Sequence, residues 1–175
     1  MPHTAFVETE INSTLKLIES LYRLAYVGER EDDVKLLGLY SKMSVVSLSG
    51  WVEDGMKGVA DMVLEGLGAT AQARLQKKQN EIHGASYEHF ANRLLLAYGA
   101  HGLDFIESRV TDVDMQVLKS TLGTLKNARN DVSHSYKVKI LRSPDIILTD
   151  FIKIYPILKR FEQAAQFYRD NHIKD

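Results

Sequence analysis

The sequence predicts an all-α protein, a bundle of about five helices forming one domain over residues 1–175. Three observations lead there. Apolar residues recur at three- and four-residue steps through most of the chain, which lines them up on one side of a helix. No segment sustains the two-residue alternation of a strand. The three prolines, Pro2, Pro144 and Pro156, leave long stretches without a helix breaker, and no Pro/Gly-rich linker divides the chain. With 45% hydrophobic residues, a chain of this length can bury a substantial core.

The first helix is expected within Phe6–Val27, where Val7, Ile11, Leu15, Ile18, Leu21, Tyr22 and Ala25 mark a buried face, and Gly28 ends it. A second begins at Glu31-Asp32-Asp33, whose carboxylates suit the positive end of the helix dipole. Its apolar residues, Leu36, Leu37, Tyr40, Met43, Val46, Val52, Met56, Val59 and Val63, carry it to Leu64 or beyond. Gly50, Gly55 and Gly58 weaken this long helix; they either bend it or admit a close neighbour. Residues 66–84 are polar and read as a loop with at most a short helix. Ser86 is a candidate N-cap for a helix carrying Phe90, Leu94, Leu95 and Tyr98 and ending near Gly99 or Gly102. Thr111 or Asp112 opens the next, with Val113, Val117, Leu118, Leu122 and Leu125 on its apolar side. Ser143-Pro144-Asp145 combines a cap with a first-turn proline, so the last helix runs from about Asp145 to Tyr168, kinked at Pro156.

Composition narrows the function. The chain has no cysteine, which excludes disulfides, thiolate metal sites and cysteine nucleophiles and suits a reducing cytoplasm. The first residues lack the basic start and apolar run of a signal peptide. The richest apolar stretch, Met43–Val52, is too short to span a bilayer, so no membrane partner is expected. A net charge of −1 argues against binding nucleic acid through a broad basic surface, so any RNA contact must be local. His83 and His89 lie six apart, off a common helix face, and no His-Glu-x-x-His is present, so neither a metal nor a cofactor is assigned. There is no phosphate loop and no Gly-x-Ser-x-Gly elbow.

The reactive candidate is Arg129-Asn130-Asp131-Val132-Ser133-His134. Histidine moves a proton near neutrality, arginine presents a fork of donors to phosphate, and asparagine can orient either partner. Asn130 and His134 are four apart and share a helix face. Arg129, five residues before His134, is turned away by about 140° unless the helix loosens, its side chain curls back, or a second subunit completes the site. By spacing alone, an Arg-Asn pair followed by a His near a helix end more often caps and bridges than catalyses. Lys126, Lys137, Lys139 and Arg142 flank the segment as a local phosphate-binding rim, or as an ordinary solvated face.

The run Leu125–His134 resembles the signature of the HEPN superfamily: Arg, usually a polar residue directly after it, and His after a spacer of four to six. Arg129, Asn130 and His134 fill those positions. Ser47–Asp54, an apolar helix with an embedded Glu53, and Asn92–Gly99 are similar to segments of the HEPN branches associated with toxins and phage defence. The resemblance implies a helical bundle that dimerises and brings two motifs into one cleft. It implies metal-independent RNA cleavage in many members, and in others a non-catalytic module that binds a nucleotide or a partner protein. It makes His134 the acid/base, Arg129 the phosphate ligand and Asn130 the positioning residue, with Glu53 in support. The sequence Arg129-x4-His134-x-Tyr136 also fits a toxin variant whose tyrosine is modified by a partner antitoxin. RNA, a second copy and a cognate antitoxin or defence protein are therefore the implied partners. A helical adaptor unrelated to HEPN proteins is the remaining reading.

Overall fold

The structure is a computed structural model that describes residues 4–27, 31–134 and 142–173; of Glu31, Asp32, Ser133 and His134 only the backbone is described. The described residues form six α-helices and no strand: α1 (Glu8–Val27), α2 (Glu31–Asp61), α3 (Ala69–Asn80), α4 (Tyr87–Glu107), α5 (Asp112–His134) and α6 (Pro144–His172), with a 3₁₀ turn at Leu64–Gly66. The all-α bundle is thus as the periodicity predicts. The helix beyond the expected five is α3, whose polar run of Ala, Gln, Arg and Lys favours a helix by intrinsic propensity while offering little apolar periodicity. No helix among the described residues is long and apolar enough to cross a membrane.

The bundle is organised around α2, which packs against α1, α4, α5 and α6. Leu15, Leu48, Val52, Met56, Leu94, Leu122, Leu125, Phe151, Phe161 and their neighbours form one continuous core. Trp51 on α2 ties three elements together. Its ring lies 5.3 Å from Phe6 and 5.4 Å, edge on, from Phe151, while its indole N–H donates to the Val7 carbonyl at 2.8 Å. Phe6 is fully buried ahead of α1. It occupies the space a Gly55 side chain would need, since a Cβ there would stand 2.1 Å from the ring. The α2 glycines therefore admit close neighbours, and α2 continues as one helix past them.

Burial divides the apolar residues of α2. Leu36, Met43 and Val46, among the apolar residues that mark the helix in the sequence, are exposed, as is Leu39, whereas Ser41, Ser44 and Ser49 are buried. Both sides of this helix segment are apolar or small. The side that enters the core carries Leu37, Val45 and Leu48 together with the three serines, and the other apolar side is left on the surface. Val7 and Val113 are likewise exposed.

Caps set the remaining ends. The Ser86 hydroxyl accepts from the His89 amide at the start of α4. The Thr111 hydroxyl takes the Asp114 amide beside α5, and Pro144 opens α6. α4 does not stop at Gly99 but kinks there, where φ is +71°, a left-handed value open to glycine without strain. α6 runs through Pro156; Ile152, whose carbonyl loses its donor, is exposed, so water can replace the bond.

Two glycines give a paired test of this packing. Gly55→Ala is expected to lower the melting temperature, because Phe6 must leave its slot, at about 1–3 kcal/mol for an overpacked core. Gly123→Ala, in α5 with nothing within 4 Å of the new methyl, should raise it by the helix-propensity difference of about 0.5–1 kcal/mol. Thermal melts of the two variants check the opposite signs.

Candidate functional site

The Arg129–His134 segment is the last part of α5, and α5 stays helical through His134. The two residues are therefore offset by about 140° around the axis and roughly 7.5 Å along it. Asn130 and Lys126 are exposed, and Arg129 is half-buried. The helix does not loosen, so it does not bring Arg129 onto the face shared by Asn130 and His134.

Arg129 is instead turned toward α2. Its Nη1 donates to Glu53 Oε2 at 2.7 Å. The other carboxylate oxygen, Oε1, accepts the Gly84 amide at 2.8 Å. One carboxylate thus links α2, α5 and the segment between α3 and α4. Burial tends to raise the Glu53 pKa, but the Gly84 N–H, the Arg129 hydrogen bond and charge, and the charge of Arg93 outweigh it and hold the carboxyl below its usual value. Glu53 is therefore ionised near neutrality and aims the guanidinium. The Arg129 side chain keeps 39% of its surface exposed, so an anion can reach it from solvent.

The segment that presents Gly84 is itself held by a buried arginine. Arg93 on α4 donates through Nη1 to the Gln79 carbonyl at 2.8 Å and through Nη2 to the Ile82 carbonyl. Gln79, fully buried, returns a bond to the Arg93 carbonyl at 3.0 Å. Gly84 adopts φ +111°, and a Cβ there would strike the His89 ring at 2.7 Å, so only glycine fits. A small pocket of about 280 Å³ opens beside Glu53, bounded by α2, the end of α3 and Arg93.

No family model, curated protein or solved structure matches this chain. The HEPN resemblance is therefore one of sequence alone, carried by the motif of Arg129, Asn130 and His134.

Of the residues singled out from sequence, Glu53 and Arg129 meet. Arg142 does not join an outer rim: it stands 2.7 Å from the buried Asp150 at the start of α6, with only 20% of its side chain exposed. That ion pair gives an interior carboxylate a counter-charge, which explains the inward turn of Arg142. Tyr136, Lys137 and Lys139 lie outside the described residues, as does the side chain of His134. Among the described residues no three His, Asp or Glu side chains stand close enough to share a metal ion. Sequence reasoning missed Arg93, Gln79 and Gly84. Arg93 sat in an apolar helix stretch, which hints at a buried charge; nothing in the order of residues ties it to Gln79.

The Glu53 pair has a defined pH signature. Its folded-state pKa lies below the ordinary 4.5, so its stabilisation is present above that value and is lost as pH falls through the lower, folded-state pKa. Glu53→Gln should lose on the order of 1–2 kcal/mol at pH 7, and the gap to wild type should narrow as pH is lowered below 4.5. Melting curves of both proteins between pH 3 and 7 check this.

Proposed function

We propose that this protein is a metal-independent endoribonuclease of HEPN type that works as a symmetric homodimer. The observation that carries the reading is the Glu53–Arg129 pair. An arginine inside a HEPN-like motif is held by an ionised carboxylate from another helix, yet remains reachable by a phosphate. In the reaction, His134 takes the proton of an RNA 2′-hydroxyl, whose oxygen attacks the adjacent phosphorus. Arg129 neutralises the charge that develops on the phosphorane, and Asn130, exposed beside it, positions the phosphate or the imidazole. The bond to the 5′-oxygen breaks and that oxygen leaves with a proton. The products end in a 2′,3′-cyclic phosphate and a 5′-hydroxyl.

The second copy follows from the helix geometry. Arg129 and His134 of one chain diverge around α5, so an arginine from one protomer and a histidine from the other form the natural catalytic pair. α2 offers the face for it. Leu36, Leu39, Met43 and Val46, each between 38% and 50% exposed, follow the three-four spacing of a coiled-coil seam. The same stripe continues through Gly50 to Glu53, which contacts Arg129. A two-fold contact along it, with the same patch on both sides, sets the two Arg129 residues near one axis. The toxin- and defence-associated branches that the chain resembles extend the reading to an intracellular effector restrained by a cognate partner protein.

Purified protein is expected to cut total RNA in EDTA and to leave 2′,3′-cyclic phosphate ends, with DNA untouched. His134→Ala should lower the rate by about 10²–10⁴-fold, and Arg129→Ala comparably, with Arg129→Lys rescuing only in part. A requirement for added magnesium, or 3′-hydroxyl products, would sink the scheme. RNA or nucleotide binding without cleavage would point to the non-catalytic module instead.

The dimer is tested separately. Met43→Glu/Val46→Glu should sediment as a monomer, keep its helical circular dichroism and lose cleavage. A wild-type protein that sediments as a monomer at every concentration removes the shared cleft.

A further inference from the structure

The pocket beside Glu53 is lined by four polar side chains that have no protein partner among the described residues. Asp54 and Lys57 come from α2, Asn80 from the end of α3 and His83 from the segment that follows. At its wall lies Arg93, 2% exposed, whose Nε is buried without an acceptor. Arg93 is thus a fixed wall, held by the Gln79 and Ile82 carbonyls, of a pocket whose other polar side chains are open to a ligand. Its volume, about 280 Å³, falls at the low end of ligand sites and suits one base or nucleoside.

We propose that this pocket binds a guanine base of the RNA strand and gives cleavage a guanine preference next to the phosphate held by Arg129. Glu53 is committed to Arg129 and Gly84, which leaves Asp54, exposed at the rim, as the reading carboxylate. A carboxylate accepts two parallel N–H bonds. Among the four bases only guanine presents two adjacent donors, N1–H and N2–H, on its Watson–Crick edge, with the O6 acceptor beside them. Lys57 or Asn80 supplies a donor to O6. Adenine would turn its N1 lone pair, and uracil and cytosine a carbonyl or ring-nitrogen lone pair, toward one carboxylate oxygen. Single-stranded RNA exposes its bases for reading along this edge. Glu53 joins the two halves of the site, since it lines the base pocket and touches the phosphate-binding arginine.

The inference rests on the ribonuclease reading for its role in cleavage, but base binding can be measured without it. Calorimetric titration of the full chain with guanosine, adenosine, cytidine and uridine 3′-monophosphates should show guanosine 3′-monophosphate binding about ten-fold or more tighter than the others. Asp54→Asn, which replaces an acceptor oxygen by a donor, should abolish that preference at unchanged helical circular dichroism. Lys57→Ala should weaken the guanine nucleotide selectively. Sequenced cleavage ends should be enriched in guanine beside the scissile phosphate and lose that enrichment in Asp54→Asn. Equal binding of the four nucleotides, or a preference that survives Asp54→Asn, overturns the proposal. Cleavage without base preference overturns it while leaving the ribonuclease intact. Selective guanine binding without cleavage supports the pocket and removes the ribonuclease.

Discussion

A single carboxylate organises the candidate site. Glu53 projects from the C-terminal third of the longest helix among the described residues, accepts the Gly84 amide with one oxygen and holds Arg129 with the other. Those two partners come from the α3–α4 segment and from the end of α5. Without the carboxylate, the guanidinium would lie half-buried without that counter-charge, and the Gly84 amide would lose its acceptor. Both are unfavourable in a partly desolvated setting. The geometry of the site is in this sense a consequence of where α2 lies.

α2 is placed by forces on its opposite side. Trp51 packs between Phe6, Phe151 and Tyr155, and Val52, Met56 and Val59 are fully buried in the core. Close approach needs small residues on the inward face, which Gly55 and the buried serines provide. A second apolar set, Leu36, Leu39, Met43 and Val46, is left on the surface as a stripe. One packing decision therefore yields three features together: a rigid helix, a carboxylate at a fixed depth and an apolar seam running toward it. Arg93 plays the matching part on the other side, since its bonds to the Gln79 and Ile82 carbonyls shape the segment that brings Gly84 to Glu53.

The site was only partly legible in the sequence, for identifiable reasons. Arg129, Asn130 and His134 lie within six consecutive residues, and a short-range pattern on a helix is visible without knowing the fold. Glu53 stands 76 residues from Arg129, and nothing local distinguishes it from Asp54 beside it; the difference is the direction each faces on α2. Arg142 reads from sequence as another cation near the motif, whereas its partner is a buried carboxylate on α6. Gln79 and Arg93 are 14 apart, on two helices whose packing had to exist before their reciprocal bonds could.

By itself the sequence determined the helical class, the order and approximate ends of most helices, and the motif at the end of α5. Those depend on periodicity, caps and breakers that act within a few residues. It did not determine α3, whose polar composition leaves no apolar face to read, nor which side of α2 enters the core, because both sides could be buried. Tertiary structure decided the second: Leu37, Val45, Leu48 and Val52 enter the core beside the buried serines, and Leu36, Leu39, Met43 and Val46 stay at the surface. The same choice brought Glu53 to Arg129, because a helix buried along one face has no freedom left in how it presents the others.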